Sequence, residues 1–191
     1  MKQRVRLPVS YAMAPSSFGE LAVAWGLIRG CPKVFWIFLP DRRRSIAKRV
    51  RERFEGARPG SYPPIDRLAN RIERFLSGMP CEFDLGILHF PLVSSFQERV
   101  LRAEYGIPRG SVSTYGRVAR HLGAPEAARA VGRALATNPF PIVIPCHRAI
   151  RSDGSLGGYR GGVRMKRALL EMEGVTITPV GRVAPDTPFH Y

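Results

Sequence analysis

The sequence predicts an α/β (α+β) fold. A small antiparallel sheet with helices fills the N-terminal part. A mostly helical C-terminal part carries a helix-turn-helix and a short strand at a candidate active site. Three observations carry this expectation. Apolar or alternating runs crowd the first forty residues, apolar positions at helical spacing take over from Ile46, and two short glycine-separated helical segments precede the apolar run Ile142-Val143-Ile144-Pro145-Cys146.

In the N-terminal part, Leu7–Met13, Glu20–Ile28 and Lys33–Leu39 read as three antiparallel strands, punctuated by Pro-Ser-Ser and Arg-Gly-Cys-Pro. A helix is expected over residues 41–54, capped by Asp41, with Ile46, Val50 and Phe54 on one narrow apolar face. Its remaining face is densely basic, which fits either a solvated helix surface or a surface for DNA phosphate or a partner. Residues 58–64 form a Gly/Pro loop, Ile65–Leu76 a second helix, and Cys81–Phe90 strand and linker. A change of pattern near Pro91–Ser95 divides the chain into an N-terminal α/β domain (1–93), a mostly helical domain (94–174) and an extended Pro-rich tail (175–191).

In the C-terminal part, Ser95-Phe96-Gln97-Glu98 reads as a capping box opening a helix to about Tyr105. Ser113 or Thr114 caps a helix over Tyr115–Leu122, Gly123 ends it, and Pro125 opens the next, which runs to Ala136. Two short helices around a glycine turn make a helix-turn-helix candidate. The second is full of small residues, mostly alanine, so it can approach a partner closely but offers few side chains to base edges. Arg129 and Arg133, four apart, share a face. A last helix runs from Val163 to Glu173, with Leu169, Leu170 and Met172 toward the core.

Hydrophobic residues make up 45% of the 191, enough for a real core, and the net charge is +15. The excess is spread over both halves, and only 4 of the 30 basic residues are lysine. Such a surface attracts a polyanion, nucleic acid first, without specifying sequence. Cys31, Cys81 and Cys146 show no metal-ligand spacing, so neither a metal nor another cofactor is expected; Cys31 and Cys81 read as core residues that a disulfide would join only in a hyperthermophile. No signal peptide or membrane-length apolar run is seen, which predicts a soluble, cytoplasmic protein that makes no membrane contact.

The residues with most chemistry are Asn138-Pro139-Phe140-Pro141-Ile142-Val143-Ile144-Pro145-Cys146-His147-Arg148. A thiol is a nucleophile only as thiolate, so a reactive cysteine needs a nearby base or positive charge. His147 is the adjacent base. With Pro145 fixing the backbone, the run reads as a buried strand ending at the thiol. Beyond it, five glycines between Ala149 and Gly162 make a loop that allows close backbone approach, with Tyr159 available to stack on a base.

This run closely resembles the active-site signature of the O6-alkylguanine-DNA alkyltransferases, or methylated-DNA–protein-cysteine methyltransferases, and the likeness extends from about Phe96 to Gly174. The resemblance implies DNA repair by a single, self-inactivating transfer of an alkyl group from O6-alkylguanine, and O4-alkylthymine, to Cys146. It makes Cys146, His147 and Glu173 a nucleophile–base–orienter relay, Asn138 a hinge-like turn before the cysteine, and Tyr115 the donor to the leaving purine. Pro141, Tyr159, Arg160 and Ala149 would surround the extruded base. Arg129 would fill the gap left in the duplex, with Arg133, Ala124 and Ser152 also toward DNA, the second helix lying in the minor groove of double-stranded DNA. A monomer is expected. Ala149 stands where the family commonly has valine, and Arg160 where many members have a small residue. The rival readings are a lesion-binding protein that transfers nothing and a helix-turn-helix regulator.

Overall fold

The computed structural model describes residues 7–41 and 44–191; Arg42 and Arg43 of the expected basic helix lie outside the described residues. The chain divides into two compact units, Met1–Leu92 with Pro139–Val143, and Val93–Asn138 with Ile144–Tyr191. Both helices and strands are present, so the mixed α/β class expected from the sequence holds.

In the first unit, β1 (Ser10–Ala14), β2 (Leu21–Ile28) and β3 (Cys31–Phe38) form an antiparallel sheet. The two-residue β4 (Arg58–Pro59), in the segment read as a loop, adds parallel to β1, giving the order β3-β2-β1-β4. Arg29 and Gly30 join β2 to β3 with φ of 51° and 78°, the positive pair that a tight hairpin turn requires. Helix α1 (Ile46–Arg53) buries Ile46, Val50 and the following Phe54 against Tyr11, Ala22, Ala24 and Phe35. It begins after Ser45, without a side-chain cap, and not at Asp41. Helix α2 (Pro63–Leu76) starts with Pro63 and Pro64 and buries Ile65, Leu68, Ala69, Ile72, Phe75 and Leu76, one stripe at 3.6-residue spacing. Leu85–Ile87 and Phe90–Leu92 are 3-10 turns, and Leu88 contributes an isolated bridge to Val34 where a strand was expected.

The returning segment Pro139–Val143 is part of this unit. Ile37 donates its amide to the Pro139 carbonyl at 2.8 Å, and the Phe140 ring meets Phe90 edge-on at 5.7 Å. Cys31 is exposed, Cys81 half-buried, and both are free thiols, so neither is the core residue the sequence reading made it. Their positions explain this: Cys31 sits at the hairpin turn, and Cys81 in the irregular stretch after α2.

The second unit is helical around a minimal sheet. Helix α3 (Ser95–Tyr105) is capped by Ser94, whose hydroxyl accepts from the Gln97 amide. The cap thus lies one residue before the expected box, and the Gln97 side chain turns away to the Ala134 carbonyl and Thr137 hydroxyl. Strand β5 (Ser113–Thr114) leads into α4 (Tyr115–His121), capped by the Thr114 hydroxyl. Gly123 turns the chain at φ 71°, a 3-10 turn follows at Pro125–Ala127, and α5 (Ala128–Ala136) completes the helix-turn-helix. Strand β6 (Ala149–Ile150) pairs in parallel with β5, and α6 (Val163–Met172) ends at Glu173 and Gly174. Residues 175–191 are not a separate extended tail. Val175, Ile177 and Val183 share a core with Val112, Ile150, Leu156 and Leu170, and Val112 exchanges backbone hydrogen bonds with Pro188 and His190. Their apolar residues decide this, because packing in that cluster removes them from water.

Candidate active site

The stretch before the cysteine is a turn, contrary to the strand expected. Ile142 adopts φ 74°, costly for a β-branched residue, and Pro141 and Pro145 have no amide to give a ladder. The strand of this region lies after the cysteine, at Ala149–Ile150. Cys146–Arg148 form a single 3-10 turn, and every residue from Asn138 to Ile150 is buried.

Asn138 fixes the turn. Its amide nitrogen donates to the Ile144 carbonyl and to the Cys146 sulfur, both at 3.2 Å. The side chain before the excursion of 139–143 thereby clasps the backbone that returns from it. Cys146 is 9% exposed. Burial pushes its thiol up to about 11, with the Glu104 charge adding to the rise and the Asn138 hydrogen bond, Lys166 and Arg160 opposing it.

Behind the sulfur lies a closed network. His147 is fully buried, and its Nε2 stands 3.0 Å from Glu173 Oε1. Arg148 donates Nε to Glu173 Oε2 at 2.8 Å and Nη2 to Oε1 at 2.7 Å, a two-pronged grip, and its Nη1 holds the Ile107 carbonyl at 2.5 Å. Burial alone would raise the Glu173 carboxyl, but the hydrogen bonds and charges of Arg148 and His147 outweigh it and hold the group at about 2. An ionised Glu173 requires a proton on His147 Nε2, which leaves Nδ1 as the basic ring nitrogen. Burial, only partly offset by Glu173, keeps the imidazole neutral by lowering its pKa. The arrangement offers a neutral base with its tautomer set by a fixed anion. Glu173 reaches this position as the residue that ends α6, just before Gly174 at φ 91°.

Tyr115 begins α4 and is half-buried; burial, with the nearby Glu104 and Cys146 charges, raises its phenol. Gly157 passes so close that a Cβ built there would stand 3.1 Å from the Tyr115 hydroxyl, and its φ of 69° already favours glycine. The Tyr159 ring lies edge-on to His147 at 6.3 Å. Arg160 extends to the Ala136 carbonyl at the end of α5, at 3.1 Å. Ala149 is fully buried, and its carbonyl accepts from Lys166 Nζ at 2.5 Å.

The structure therefore brings together Asn138, Cys146, His147 and Glu173, with Tyr115, Tyr159 and Ala149 in the same unit. Arg129 and Arg133 are exposed on α5, Ser152 is exposed on the glycine loop, and Ala124 is half-exposed at the turn. Pro141 is buried in the segment that groups with the first unit. Sequence reasoning missed Arg148, Lys166 and Glu104. Helical spacing held the signal for two of them. Lys166 shares a face with Leu169, Leu170 and Glu173, and Glu104 lies four residues beyond Val100. Among the described residues no group of His, Cys, Asp and Glu has the arrangement to hold a metal, and no helix is long and apolar enough to cross a membrane.

A helix-turn-helix joined to a buried cysteine with a fixed histidine–carboxylate network defines a class of DNA-directed, cysteine-dependent proteins. Residues 95–175 match the family described as 6-O-methylguanine DNA methyltransferase, DNA binding domain. A methylated-DNA–protein-cysteine methyltransferase of Methanothermobacter thermautotrophicus is 50% identical over 119 residues, covering 61% of this chain and 66% of that protein. The protein of that name from Mycobacterium tuberculosis is 44% identical over 115 residues, covering 60% of this chain and 67% of that one. The chain thus spans about two thirds of these relatives' length. The crystal structure of Mycobacterium tuberculosis OGT in complex with DNA superposes with a TM-score of 0.67 at 32% identity, over 86% of this chain and 92% of that one. The chain belongs to the methylated-DNA–protein-cysteine methyltransferase family.

Proposed function

We propose that this protein repairs duplex DNA by moving the alkyl group of O6-alkylguanine, and of O4-alkylthymine, onto Cys146, once per molecule. The carrying observation is the sulfur held 3.2 Å from an Asn138 N–H, next in sequence to a histidine whose tautomer an ionised Glu173 fixes. His147 takes the thiol proton through a water. The sulfur attacks the alkyl carbon in line, the S–C bond forms and the C–O6 bond breaks, and Tyr115 donates to the departing purine. Because the target atom lies inside a duplex, the base is extruded. Arg129 fills the vacated stack from the minor groove, and Tyr159 and Arg160 flank the base. A thioether is stable in water, so the protein is consumed. It acts as a monomer inside the cell.

The test is incubation with duplex carrying O6-methylguanine, followed by peptide mass spectrometry. One added methyl on Cys146 is expected, with none in Cys146→Ala. Binding without methyl gain would make the protein a lesion binder, and repeated turnover on excess substrate would overturn the single-use mechanism.

A further inference from the structure

Two ionisable groups buried in the second unit have no part in the relay. Glu104, on α3, is fully buried, and neither carboxyl oxygen has a hydrogen-bond partner. Lys166, on α6, is equally buried, and its Nζ donates to the Ala149 carbonyl. They flank one residue: Lys166 holds the carbonyl of Ala149, and the amide of Ala149 faces Glu104 outside hydrogen-bond geometry. Ala149 follows Cys146 by three residues and anchors β6 to β5. A buried carboxyl without a hydrogen-bond partner is costly to a protein, so its retention needs a reason.

We propose that Glu104 and Lys166 form a positioning acid–base pair for Cys146: Lys166 fixes the Ala149 carbonyl and presents its ammonium to the sulfur, and the Glu104 carboxyl decides whether that charge acts on the sulfur or is cancelled. Both charges reach the sulfur, Glu104 disfavouring the thiolate and Lys166 favouring it. The pair rests on the alkyl-transfer reading of Cys146, which it deepens.

The pair changes state near neutrality. Burial raises Glu104 to about 8 despite Lys166 and Arg148, and lowers Lys166 to about 8 despite Cys146 and Glu104. Below that point Glu104 is neutral and Lys166 charged, which favours the thiolate. Above it Glu104 gains a negative charge and Lys166 loses its positive one, which opposes the thiolate. The surrounding groups do not follow. Tyr115 and Tyr191, near Glu104, have raised phenols; Glu173 stays ionised and His147 neutral; the guanidinium groups of Arg148, Arg151 and Arg160 also face the pair or the sulfur. The pair therefore damps the gain in sulfur reactivity that rising pH otherwise gives, and the two groups titrate as a unit.

The experiment measures iodoacetamide alkylation of Cys146 against pH by peptide mass spectrometry, on the full chain, beside methyl transfer from O6-methylguanine duplex. Glu104→Gln keeps the shape and removes the charge. Its Cys146 profile is expected to shift to lower pH, with a rate at pH 9 raised about threefold or more, the thiolate gain from a half-unit shift. Lys166→Met is expected to lower the alkylation rate at pH 7, where Lys166 carries its charge, and Lys166→Arg to keep it; circular dichroism and thermal melting establish that each variant is folded. A folded Glu104→Gln with the wild-type rate at pH 9 and a folded Lys166→Met with the wild-type rate at pH 7 would together overturn the pair. Shifted profiles without methyl transfer by the wild type would instead overturn the transfer reading and leave the pair standing.

Discussion

At the residue scale, the site turns on how one anion is held. Glu173 is gripped by Arg148 on both oxygens and by His147 on one, in the interior. Removing its charge frees the His147 tautomer and leaves Arg148 buried without its counterion. Glu173→Gln is expected to slow methyl transfer about 10²-fold or more, the usual share of a positioned general base, in single-turnover kinetics with oligonucleotide binding retained. The same grip gives an acid limit to stability. The folded carboxyl stands at about 2 against an ordinary 4.5, so the stabilisation is complete above pH 4.5 and drains away as pH falls toward 2. The shift corresponds to about 3 kcal/mol as an order of magnitude. Urea unfolding at pH 6 and pH 3 is expected to show this acid loss in the wild type and a smaller one in Glu173→Gln. Equal losses in both would mean the pair contributes little.

At the element scale, the helix-turn-helix depends on Gly123. Its φ of 71° joins α4 to the turn before α5, and no atom lies within 4 Å of a Cβ built there. Alanine at this position meets no clash, only left-handed backbone strain, so Gly123→Ala is expected to cost about 1 kcal/mol in thermal or urea unfolding. Asparagine, which tolerates that conformation, is expected to lose less. The exposed face of α5 carries Arg129 and Arg133. If both meet phosphate or the duplex stack, as proposed, each alanine substitution lowers the salt slope of duplex binding by about 1, read by fluorescence anisotropy over a series of salt concentrations. An unchanged slope would remove these side chains from the interface.

At the scale of the whole molecule, a net charge of +15 dominates the encounter with DNA. Affinity for undamaged duplex is expected to fall steeply with salt, since nonspecific binding is chiefly counterion release. Most of the architecture was legible because its signals are local. The α2 stripe, the Thr114 cap, the Gly123 turn and the α6 face are each set by residues within a few positions of one another. Misreadings fell where distant chain competes. Ile142 looked like strand because β-branched apolar residues favour one, yet prolines on either side and the demand for a reversal make it a turn. Residues 175–191 read as a loose tail because prolines mask the apolar positions that pack beside Val112 and Leu170.

By itself the sequence determined the fold class, the family resemblance, the nucleophile candidate and its adjacent base, because a motif of consecutive residues encodes them. The resemblance already paired Glu173 with His147; only the tertiary structure decided that Arg148 locks Glu173 on both oxygens, and that Glu104 and Lys166 lie buried on either side of Ala149. The reason is physical: whether a charged side chain is solvated or enclosed depends on which distant helices pack over it, and that enclosure sets the charge it carries.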